Sequence, residues 1–493
     1  MNQASVEAPR ELRYAIIGAG MSGILAAIKL LERGEQHVAV YEKGATLGGT
    51  WRENRYPGLT CDVPAHAYTY SFAPNPDWSA YYAPGPEIRD YFQKVADDYG
   101  VSPLIRYNSE VTACRFDDES ATWALTLCDG SVLEADVVIA ASGVLHHINM
   151  PEIPGLDSFA GKAFHSARWD DTAVLDGTRV GIVGGGSTGI QILSALQPRS
   201  ETVVHFLRSP QWIMPVPYFT YTDEDRADFR AHPEKIDAVR YSDEYFGNIR
   251  RFCNAISNPD GPEIAAVEAE VLRNLEESVK DPVLREKLRP DYRAACKRLI
   301  YSWCYYDHIQ QPNAVVETGR IAAVEPEGVR MQDGSFHPLD VLVLATGFRA
   351  DRFIRPTVVT GSQGRCLDDA WSERPCAHYA MTIPGFPNFF MLNGPGGPVG
   401  NFSLIDIAER QWGYIDQLID QLRQGARLVE TRPEAFAEYE QRRVEAARNT
   451  IFGSGCSSWY LDAQGVPASW PWSYDDFAEA MEKPELSSFS FAA

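Results

Sequence analysis

The sequence lacks three features that would each indicate a particular class of protein. Its nine cysteines are scattered, odd in number and never spaced C-x-x-C, which argues against a zinc site or a redox disulfide. No apolar segment approaches the ~18 residues that a membrane-spanning helix needs. The N-terminal stretch, MNQASVEAPRELR, is polar and has no apolar run of the kind found in signal peptides. We therefore expect a cytoplasmic protein with reduced thiols, no metal site and no membrane partner.

Positive charge is scarce as well, because 45 Lys and Arg stand against 67 Asp and Glu and give a net charge of −22. A chain of this charge repels the phosphates of nucleic acids and anionic membranes, so neither is expected as a main partner. Local basic pockets for the phosphates of a small ligand are still compatible with it. The length of 493 residues is sufficient for two or three domains with their own cores.

The N-terminal region has the pattern of a dinucleotide-binding βαβ unit. An apolar strand pattern precedes Gly18, Gly20 and Gly23, which have the spacing G-x-G-x-x-G, and an apolar helix pattern follows them. The next strand pattern ends in Glu42, where this fold places a carboxylate that binds a ribose hydroxyl. The unit is therefore predicted to bind FAD or NAD, the alternative being a glycine turn that binds no nucleotide.

A second unit of the same kind lies at 179–191, RVGIVGGGSTGIQ. Gly184, Gly186 and Gly189 repeat the spacing, but the strand pattern that follows them leads to Arg208 and not to an acid. A carboxylate there suits a 2′-hydroxyl, whereas an arginine suits a 2′-phosphate, so this unit is predicted to bind NADP. The alternative is a solvated surface arginine. In both units the helix N-terminus offers free N–H groups and partial positive charge to phosphates.

Three further segments are candidates for a functional role. The segment 48–62, GGTWRENRYPGLTCD, is rich in glycine and aromatic residues and reads as a long functional loop. The stretch 222–287 is charged and helix-prone, and we interpret it as an insertion that caps the active site. Lys297 and Arg298 precede an apolar run, which favours anion binding over the alternative of a solvated basic face.

Together these motifs resemble the class B flavoprotein monooxygenases and, within them, the Baeyer–Villiger monooxygenases. The segment 159–171, FAGKAFHSARWDD, fits that family's signature F-x-G-x-x-x-H-x-x-x-W-(P/D), and 48–62 fits its longer signature, G-G-x-W, four residues, Y-P-G, three residues, D. Relatives that oxidise nitrogen and sulfur usually carry Phe or Tyr in place of Trp169. The resemblance extends over nearly the whole chain and is least clear in 222–287 and the C-terminal tail.

The resemblance implies an α/β fold with two Rossmann-like dinucleotide-binding domains, one for FAD and one for NADPH, and a helical insertion. The implied FAD domain is discontinuous, with boundaries 1–143 and 380–493. The implied NADPH domain spans 144–213 and 294–379, and the insertion spans 214–293.

The family chemistry that the resemblance implies begins with hydride transfer from NADPH to FAD. Reduced flavin then captures O2 as a C4a-peroxyflavin, which attacks a ketone carbonyl and leaves an ester or lactone. Sulfides are expected as side substrates. The implied partners are a small-molecule ketone and O2, while the class of ketone and the oligomeric state do not follow from the sequence.

The resemblance also implies roles for particular residues. Arg298 is the expected catalytic cation, Asp62 its pairing partner, and His165 a residue with a conformational role on the linker. Arg208 and Lys297, with Ser209 beside them, are expected to bind the 2′-phosphate of NADPH. The full set of implied cofactor contacts is Gly18, Gly20, Met21, Gly23, Glu42, Gly49, Thr50, Trp51, Asp62, Tyr68, Val111, Gly184, Gly186, Ser187, Thr188, Gly189, Gln191, Arg208, Ser209, Lys297 and Arg298.

Three alternative functions compete with this interpretation. An N- or S-hydroxylating flavin-containing monooxygenase would have the same two nucleotide sites. A pyridine nucleotide–disulfide reductase would need the C-x-x-C pair that the sequence lacks. A flavin-binding sensor without activity would have no need for Asp62, Lys297 and Arg298.

Overall fold

The computed structural model of the chain describes residues 11–398, 400 and 402–492. Residues 1–10, which contain most of the stretch judged not to be a signal peptide, lie outside the described residues. The strands, in chain order, are β1 Arg13–Ile17, β2 His37–Tyr41, β3 Ile105–Arg106, β4 Val111–Asp117, β5 Thr122–Leu127, β6 Val132–Ala135, β7 Val137–Ala140, β8 Lys162–His165, β9 Arg179–Val183, β10 Thr202–Phe206, β11 Ile213–Met214, β12 Ile300–Tyr301, β13 Ala314–Glu317, β14 Ile321–Glu325, β15 Gly328–Met331, β16 Phe336–Pro338, β17 Val341–Leu344, β18 Val358–Thr360, β19 Phe389–Met391, β20 Leu428–Thr431 and β21 Phe489–Ala492.

The α-helices connect these strands and form a separate group in the middle of the chain. They are α1 Met21–Glu32, α2 Thr50–Glu53, α3 Gly85–Asp98, α4 Ser187–Leu196, α5 Asp223–Ala231, α6 Glu234–Arg240, α7 Asn248–Ser257, α8 Pro262–Ser278, α9 Pro282–Lys287, α10 Tyr305–Ile309, α11 Leu367–Ala370, α12 Leu404–Arg423, α13 Pro433–Arg448 and α14 Tyr474–Glu482. Short 3₁₀ turns lie at Ala65–Ala67, Ser102–Leu104, Leu156–Ser158, Ser166–Arg168, Ser362–Gly364, Ile451–Gly453 and Leu486–Ser488, and a π-helical turn at Asp243–Gly247.

Two five-stranded parallel sheets hold the two glycine units. The first has the strand order β19-β7-β1-β2-β3 and the second the order β13-β10-β9-β17-β8. In each sheet the strand before the glycine turn pairs with the strand after the helix, Ile17 opposite Tyr41 and Val183 opposite Phe206. Helices cover parallel sheets on both faces, which explains why β7 and β17 consist wholly of buried apolar residues. The predicted α/β class with two dinucleotide-binding units is confirmed.

The helical stretch in the middle of the chain begins and ends at a pair of short strands. β11 and β12 run parallel, with Ile213 opposite Ile300 and Met214 opposite Tyr301. Helices α5 to α9 lie between these strands in the chain, so the predicted helical insertion is present. Its helix α7 reaches the C-terminal part of the chain, where Arg250 forms an ion pair of 2.7 Å with Asp475.

The predicted domain boundaries remain a prediction, and the structure calls for one adjustment. β18 was assigned to the NADPH domain, but it pairs with β4, which follows the first sheet's strand β3 in the chain. Ile354, Val359 and Trp371 also belong to the core cluster that contains Ile17 and Tyr41. We therefore propose that the chain returns to the first domain before Ile354, because the core is shared from that point onward.

The expectation that all cysteines are reduced thiols is wrong for one pair. Cys296 and Cys456 are joined by a disulfide across a sequence separation of 160. Both belong to a cluster with Phe452 and Tyr460, which brings the C-terminal part of the chain against the residues that precede Arg298. Cysteine spacing in the sequence carries no trace of a contact made by tertiary packing. The free cysteines are Cys61, Cys114, Cys128, Cys253, Cys304, Cys366 and Cys376.

Helix α12 is the longest of the α-helices given above, and it is amphipathic. Its apolar face, which includes Trp412 and Leu418, packs into the main core. Asp416 of this helix pairs with Arg423 at 2.9 Å. In the part of the chain that the structure describes, no helix has the length and apolar character required to cross a membrane.

Candidate active site

A cavity of about 1390 Å³ lies where the two glycine units, the loop 48–62, the insertion and the C-terminal tail meet. Many of the residues implied by sequence line it: Gly18, Gly20, Met21, Glu42, Gly49, Thr50, Trp51, Asp62, Tyr68, Val111, Ser187, Thr188, Gln191 and Arg298. The others lie outside its lining, namely Gly23, Gly184, Gly186, Gly189, Arg208, Ser209 and Lys297. Gly23, Gly184 and Gly189 have structural roles within the glycine turns, which are described below. Arg208, Ser209 and Lys297 form a separate group with two positive charges.

The first glycine turn is built as its spacing requires. Gly18 has φ = +103°, a conformation that favours glycine, and its N–H donates to the carbonyl of Tyr41 at 2.8 Å. A Cβ on Gly23 would lie 1.9 Å from the carbonyl oxygen of Gly18. Only glycine at this third position lets α1 pack so closely against the turn.

Glu42 lies buried against this turn. Its carboxylate accepts hydrogen bonds from the N–H groups of Ala19 at 2.9 Å and Gly44 at 2.7 Å. Arg52, from the loop 48–62, donates to the same carboxylate at 2.7 Å and compensates its charge. The acid thus ties the glycine turn, the end of β2 and the signature loop together at the cavity wall.

Trp51 and Tyr68, two implied cofactor contacts, form a buried pair beside the first unit. The indole N–H of Trp51 donates to the hydroxyl of Tyr68 at 3.2 Å, and the rings meet edge to face at 5.6 Å. Both side chains also line the cavity. They form a rigid aromatic wall of the kind that suits a flat ring.

The second glycine turn has the same backbone but different support. Gly184 has φ = +125°, and a Cβ on Gly189 would lie 2.0 Å from the Gly184 carbonyl oxygen. Beneath the turn, the buried His205 places Nε2 2.9 Å from that same carbonyl, and the hydroxyl of Tyr305 lies 3.3 Å from Nδ1. Burial lowers the pKa of His205 to about 4, so the neutral ring donates from Nε2 to the carbonyl and accepts from Tyr305.

Both turns offer hydrogen-bond donors for phosphates. No described side chain caps the N-terminus of α1 at Gly20 or of α4 at Gly186, so their first N–H groups are available to an anion. A Cβ on Gly186 would meet nothing within 4 Å, which shows open space in front of this turn. The residues present therefore fit a dinucleotide in each unit.

Arg208 and Ser209, which follow β10, form a polar group with Lys297 outside the cavity lining. Arg208 is exposed, and the Nζ atom of Lys297 lies 3.4 Å from the Ser209 hydroxyl and 3.9 Å from the centre of the Tyr292 ring. Burial lowers the pKa of Lys297, and the charge of Arg208 contributes to the same shift. Neither cation forms an ion pair with a carboxylate of residues 11–398, 400 or 402–492, so both are available to a phosphate.

Arg298 is a cation of the cavity that is held by a carboxylate from a distant part of the chain. Its Nη2 atom donates to Oδ2 of Asp62 at 2.6 Å, although the two residues are 236 positions apart. The charge of Asp62 raises the pKa of Arg298 far above its usual value against the opposing effect of burial. The predicted pairing of these two residues is present, and the guanidinium is permanently charged.

Tyr460 is a second partner of Arg298. The Tyr460 hydroxyl is an uncharged neighbour of the guanidinium, because burial raises the pKa of Tyr460 and keeps the phenol protonated. Both groups crowd Gly400, where a Cβ would lie 1.9 Å from the Tyr460 hydroxyl and 2.9 Å from Nη1 of Arg298. The guanidinium therefore lies between Asp62 on one side and Tyr460 on the other.

The signature loop joins the first unit to the second. Tyr56 donates to Oε1 of Gln191 on α4 at 2.9 Å, and Nε2 of Gln191 donates to the Thr60 carbonyl at 3.1 Å. A Cβ on Gly58 would lie 2.7 Å from the Gln191 carbonyl oxygen. The Y-P-G part of the signature thus serves as the packing surface for the second unit's helix.

The shorter signature lies at the edge of the second sheet. His165 is buried at the end of β8, accepts from the Ala167 N–H at 3.1 Å and donates to the Gly347 carbonyl at 3.1 Å. Burial lowers its pKa. His165 does not line the cavity, which favours the expected conformational role over proton transfer.

Sequence reasoning missed the residues that complete the cavity. Trp459 comes from the aromatic tail, and Tyr245, Ile249 and Phe252 come from the insertion. Tyr460, also from the tail, lies beside Arg298 and outside the lining. The tail and the insertion were recognisable as aromatic and helical segments, but no spacing pattern marked these particular side chains. Within the described part of the chain, no group of three or more His, Cys, Asp or Glu is arranged to hold a metal ion.

The profile of the flavin-binding monooxygenase-like family matches residues 11–218. A Baeyer–Villiger monooxygenase of Streptomyces coelicolor is 36% identical over 97% of this chain and 92% of that protein. The chain belongs to the Baeyer–Villiger monooxygenase family. The family predicted from the motifs is thereby confirmed.

Solved structures agree over the whole length. Cyclohexanone monooxygenase from Rhodococcus sp. Phi1, bound to NADP+, superposes with a TM-score of 0.85 at 29% identity and covers 99% of this chain and 100% of its own. The OTEMO complex with FAD and NADP has a TM-score of 0.87 at 26% identity, with the same coverage of both chains.

Proposed function

We propose that this Baeyer–Villiger family member uses NADPH and O2 to insert an oxygen atom next to a ketone carbonyl, giving an ester or lactone. The observation that carries this proposal is the Arg298–Asp62 pair in a cavity that both glycine units reach. A sulfide is a proposed side substrate. The solved relatives that bind NADP+, or FAD and NADP, support the choice of cofactors.

FAD is proposed to bind the first unit. Its pyrophosphate fits the uncapped N-terminus of α1 at Gly20, and Glu42 at the end of β2 lies where a ribose would approach. Trp51 and Tyr68 provide the aromatic wall for a flat ring system. When bound, the flavin supplies the redox chemistry, by taking a hydride from NADPH and activating O2.

NADPH is proposed to bind the second unit. Open space in front of Gly186 fits its pyrophosphate, while Arg208, Ser209 and Lys297 fit its 2′-phosphate. Ser187 and Thr188, at the start of α4, line the cavity and direct the coenzyme towards the first unit.

Arg298 is the proposed catalytic residue. Oxygen attack on a ketone places negative charge on the carbonyl oxygen, and a permanent guanidinium in the cavity stabilises that charge. Asp62 holds the guanidinium in one orientation through its 2.6 Å hydrogen bond, so little reorganisation is required during the reaction. The apolar side chains of Ile249 and Phe252 exclude water on the insertion side of the cavity.

The proposed domains follow the strand pairing. β19 pairs with β7, which returns the C-terminal part to the FAD domain, and β13 and β17 join β10 and β9 in the NADPH domain. The insertion 214–293 leaves and re-enters the NADPH domain through the β11–β12 pair.

The first test is the colour and reactivity of the purified protein. It is expected to be yellow, to absorb near ~450 nm and to bleach when NADPH is added without O2. With O2 and a panel of cyclic, aryl and long-chain ketones, an ester or lactone should form in proportion to the NADPH consumed.

The second test separates ketone oxidation from nitrogen and sulfur oxidation. Arg298→Ala should keep its flavin and lose ester formation by a factor of at least ~100, as expected when a charge-stabilising group is removed. Product analysis with a matched ketone and sulfide completes the test. Oxidation of the sulfide without any ketone conversion would favour an N- or S-hydroxylating enzyme and overturn the proposal.

A further inference from the structure

We propose that Tyr460 is a positioning residue for Arg298, and that the Cys296–Cys456 disulfide holds Tyr460 in that place. The proposal rests on the proposed function of Arg298. Neither Tyr460 nor the disulfide belongs to one of the sequence motifs described above. Its consequence is that the efficiency with which NADPH consumption yields ester depends on the redox state of two cysteines.

The contacts of the guanidinium show why one partner is insufficient. Asp62 binds Nη2, while Nη1 faces Gly400 and the Tyr460 hydroxyl. Arginine has several rotatable bonds, so a single hydrogen-bond partner leaves it able to swing about that contact. A second partner on the opposite nitrogen restricts the group to one orientation towards the cavity.

Tyr460 is itself rigidly placed. Its side chain is 3% exposed, and its ring stacks on Phe452 at 4.3 Å and on Trp459 at 4.1 Å. Gly400, with φ = +88°, leaves space for the hydroxyl that no other residue would leave. A hydroxyl fixed in this way limits the orientations that the guanidinium of Arg298 can adopt.

The disulfide ties these elements together covalently. Cys296 lies two residues before Arg298, and Cys456 lies four residues before Tyr460. The hydroxyl of Ser454 also donates to the sulfur of Cys296 at 3.2 Å. The chain segment that carries the tyrosine is therefore anchored next to the residue that it positions.

Reduction of the Cys296–Cys456 bond removes the covalent link between the segments that carry Arg298 and Tyr460. A dithiol reductant breaks the sulfur–sulfur bond and supplies two electrons and two protons, so that Cys296 and Cys456 become thiols while the reductant becomes a disulfide. Tyr460 then keeps its ring stacking and its backbone hydrogen bonds, with Ala468 at 2.7 Å and Ser458 at 3.1 Å, but loses the covalent link to the segment that carries Arg298. We expect the guanidinium to spend less time in its productive orientation, so that more NADPH is consumed without ester being formed.

The first experiment compares two variants that each remove only a hydroxyl. Tyr460→Phe loses the partner of Arg298, whereas Tyr439→Phe removes a buried hydroxyl that has no hydrogen-bond partner among the described residues. Tyr460→Phe should lower kcat for ester formation about tenfold, as expected for a lost hydrogen bond to a charged group. KM for NADPH and the anaerobic rate of flavin bleaching should stay within about twofold of the parent, as should every parameter of Tyr439→Phe.

The second experiment addresses the disulfide. Alkylation under denaturing conditions, without reductant, should leave Cys296 and Cys456 unmodified, and prior reduction should make both reactive. Reduced enzyme and Cys456→Ser should both show a lower ratio of ester formed to NADPH consumed, and reductant should not lower the ratio of Cys456→Ser any further. Cys128→Ser, at an exposed free cysteine, is the matched control and should keep the parent's response.

The outcomes separate this proposal from the proposed function. If Tyr460→Phe forms ester with the parent's kcat and ratio, the positioning role is wrong even though the enzyme converts ketones. If both cysteines are alkylated without reduction, the tether is wrong. Failure of the parent protein to convert any ketone would instead count against the proposed function itself.

Discussion

The two glycine units have the same turn geometry but differ in the residues that pack around the turn. A Cβ on the third glycine would lie 1.9 Å from the first glycine's carbonyl in one unit and 2.0 Å in the other. In the first unit, Gly49 of the signature loop lies against Gly20, and the buried Glu42 holds the turn. In the second, the space in front of Gly186 is open and Arg208 is exposed.

This difference shows that spacing and ligand choice are separate properties of the chain. The glycine spacing determines the turn, because backbone sterics act over a few residues. The residues around the turn determine what binds and how firmly. A closed first unit favours a retained flavin, and an open second unit favours a coenzyme that enters and leaves during each cycle.

The largest effects are expected when the third glycine of each unit is substituted, because this tests which unit binds which nucleotide. Gly23→Val should prevent FAD retention and yield colourless protein, because its Cβ would clash with the Gly18 carbonyl. Gly189→Val should yield yellow protein that NADPH does not bleach. Absorbance of the purified variants measures both, with Gly413→Ala as control because a Cβ there meets nothing within 4 Å. Loss of flavin from Gly189→Val alone would reverse the assignment of the two units.

The basic group allows a sharper test of the second unit. Arg208→Ala and Lys297→Ala should each raise KM for NADPH by about 10- to 100-fold, because each removes a charged hydrogen-bond donor to the 2′-phosphate. KM for NADH should change by less than about twofold. Arg199→Ala is the control, since Arg199 pairs with Asp176 on the surface. An equal increase for both coenzymes would refute the phosphate role.

Glu42 provides the corresponding test of the first unit. Glu42→Gln keeps the shape but removes the negative charge that faces Arg52, so the turn should loosen and the Kd for FAD should rise about tenfold. Titration of deflavinated protein with FAD, followed by fluorescence, measures this constant. KM for NADPH should be unaffected. A change in NADPH binding with normal FAD affinity would show that the acid serves the other site.

His205 offers the smallest and most selective test, because Val40 holds the corresponding place in the first unit. The unfolded imidazole binds a proton below about pH 6.5, but the folded one does so only near pH 4. The free energy of unfolding should therefore fall as pH decreases from 6.5 to 4, by at most about 1.4 kcal/mol per pH unit for this residue.

Urea denaturation of His205→Gln measures that contribution. The glutamine keeps a donor for the Gly184 carbonyl but does not titrate, so the dependence on pH should become shallower by up to one proton. Other buried histidines with a lowered pKa, such as His66 and His378, leave a residual slope. An unaltered slope in His205→Gln would mean that His205 already titrates normally in the folded protein.

Much of the fold was predictable because its signals are local. Both strand–glycine–helix units and the helical insertion follow from spacing and periodicity within short windows. The predicted domain boundary at 380 takes no account of the pairing of β18 with β4, because β4 lies in a distant part of the chain. The Cys296–Cys456 bond was missed for the same reason.

The two nucleotide turns and the family can be inferred from the sequence, because their motifs depend on neighbouring residues. The groups that meet at Arg298, the proposed catalytic cation, could be identified only from the folded chain. Asp62, Arg298 and Tyr460 come from three separate parts of the chain, and no periodicity links them. Their meeting depends on how the loop 48–62, the end of the insertion and the C-terminal tail pack against one another, and packing of distant segments leaves no local pattern in the sequence.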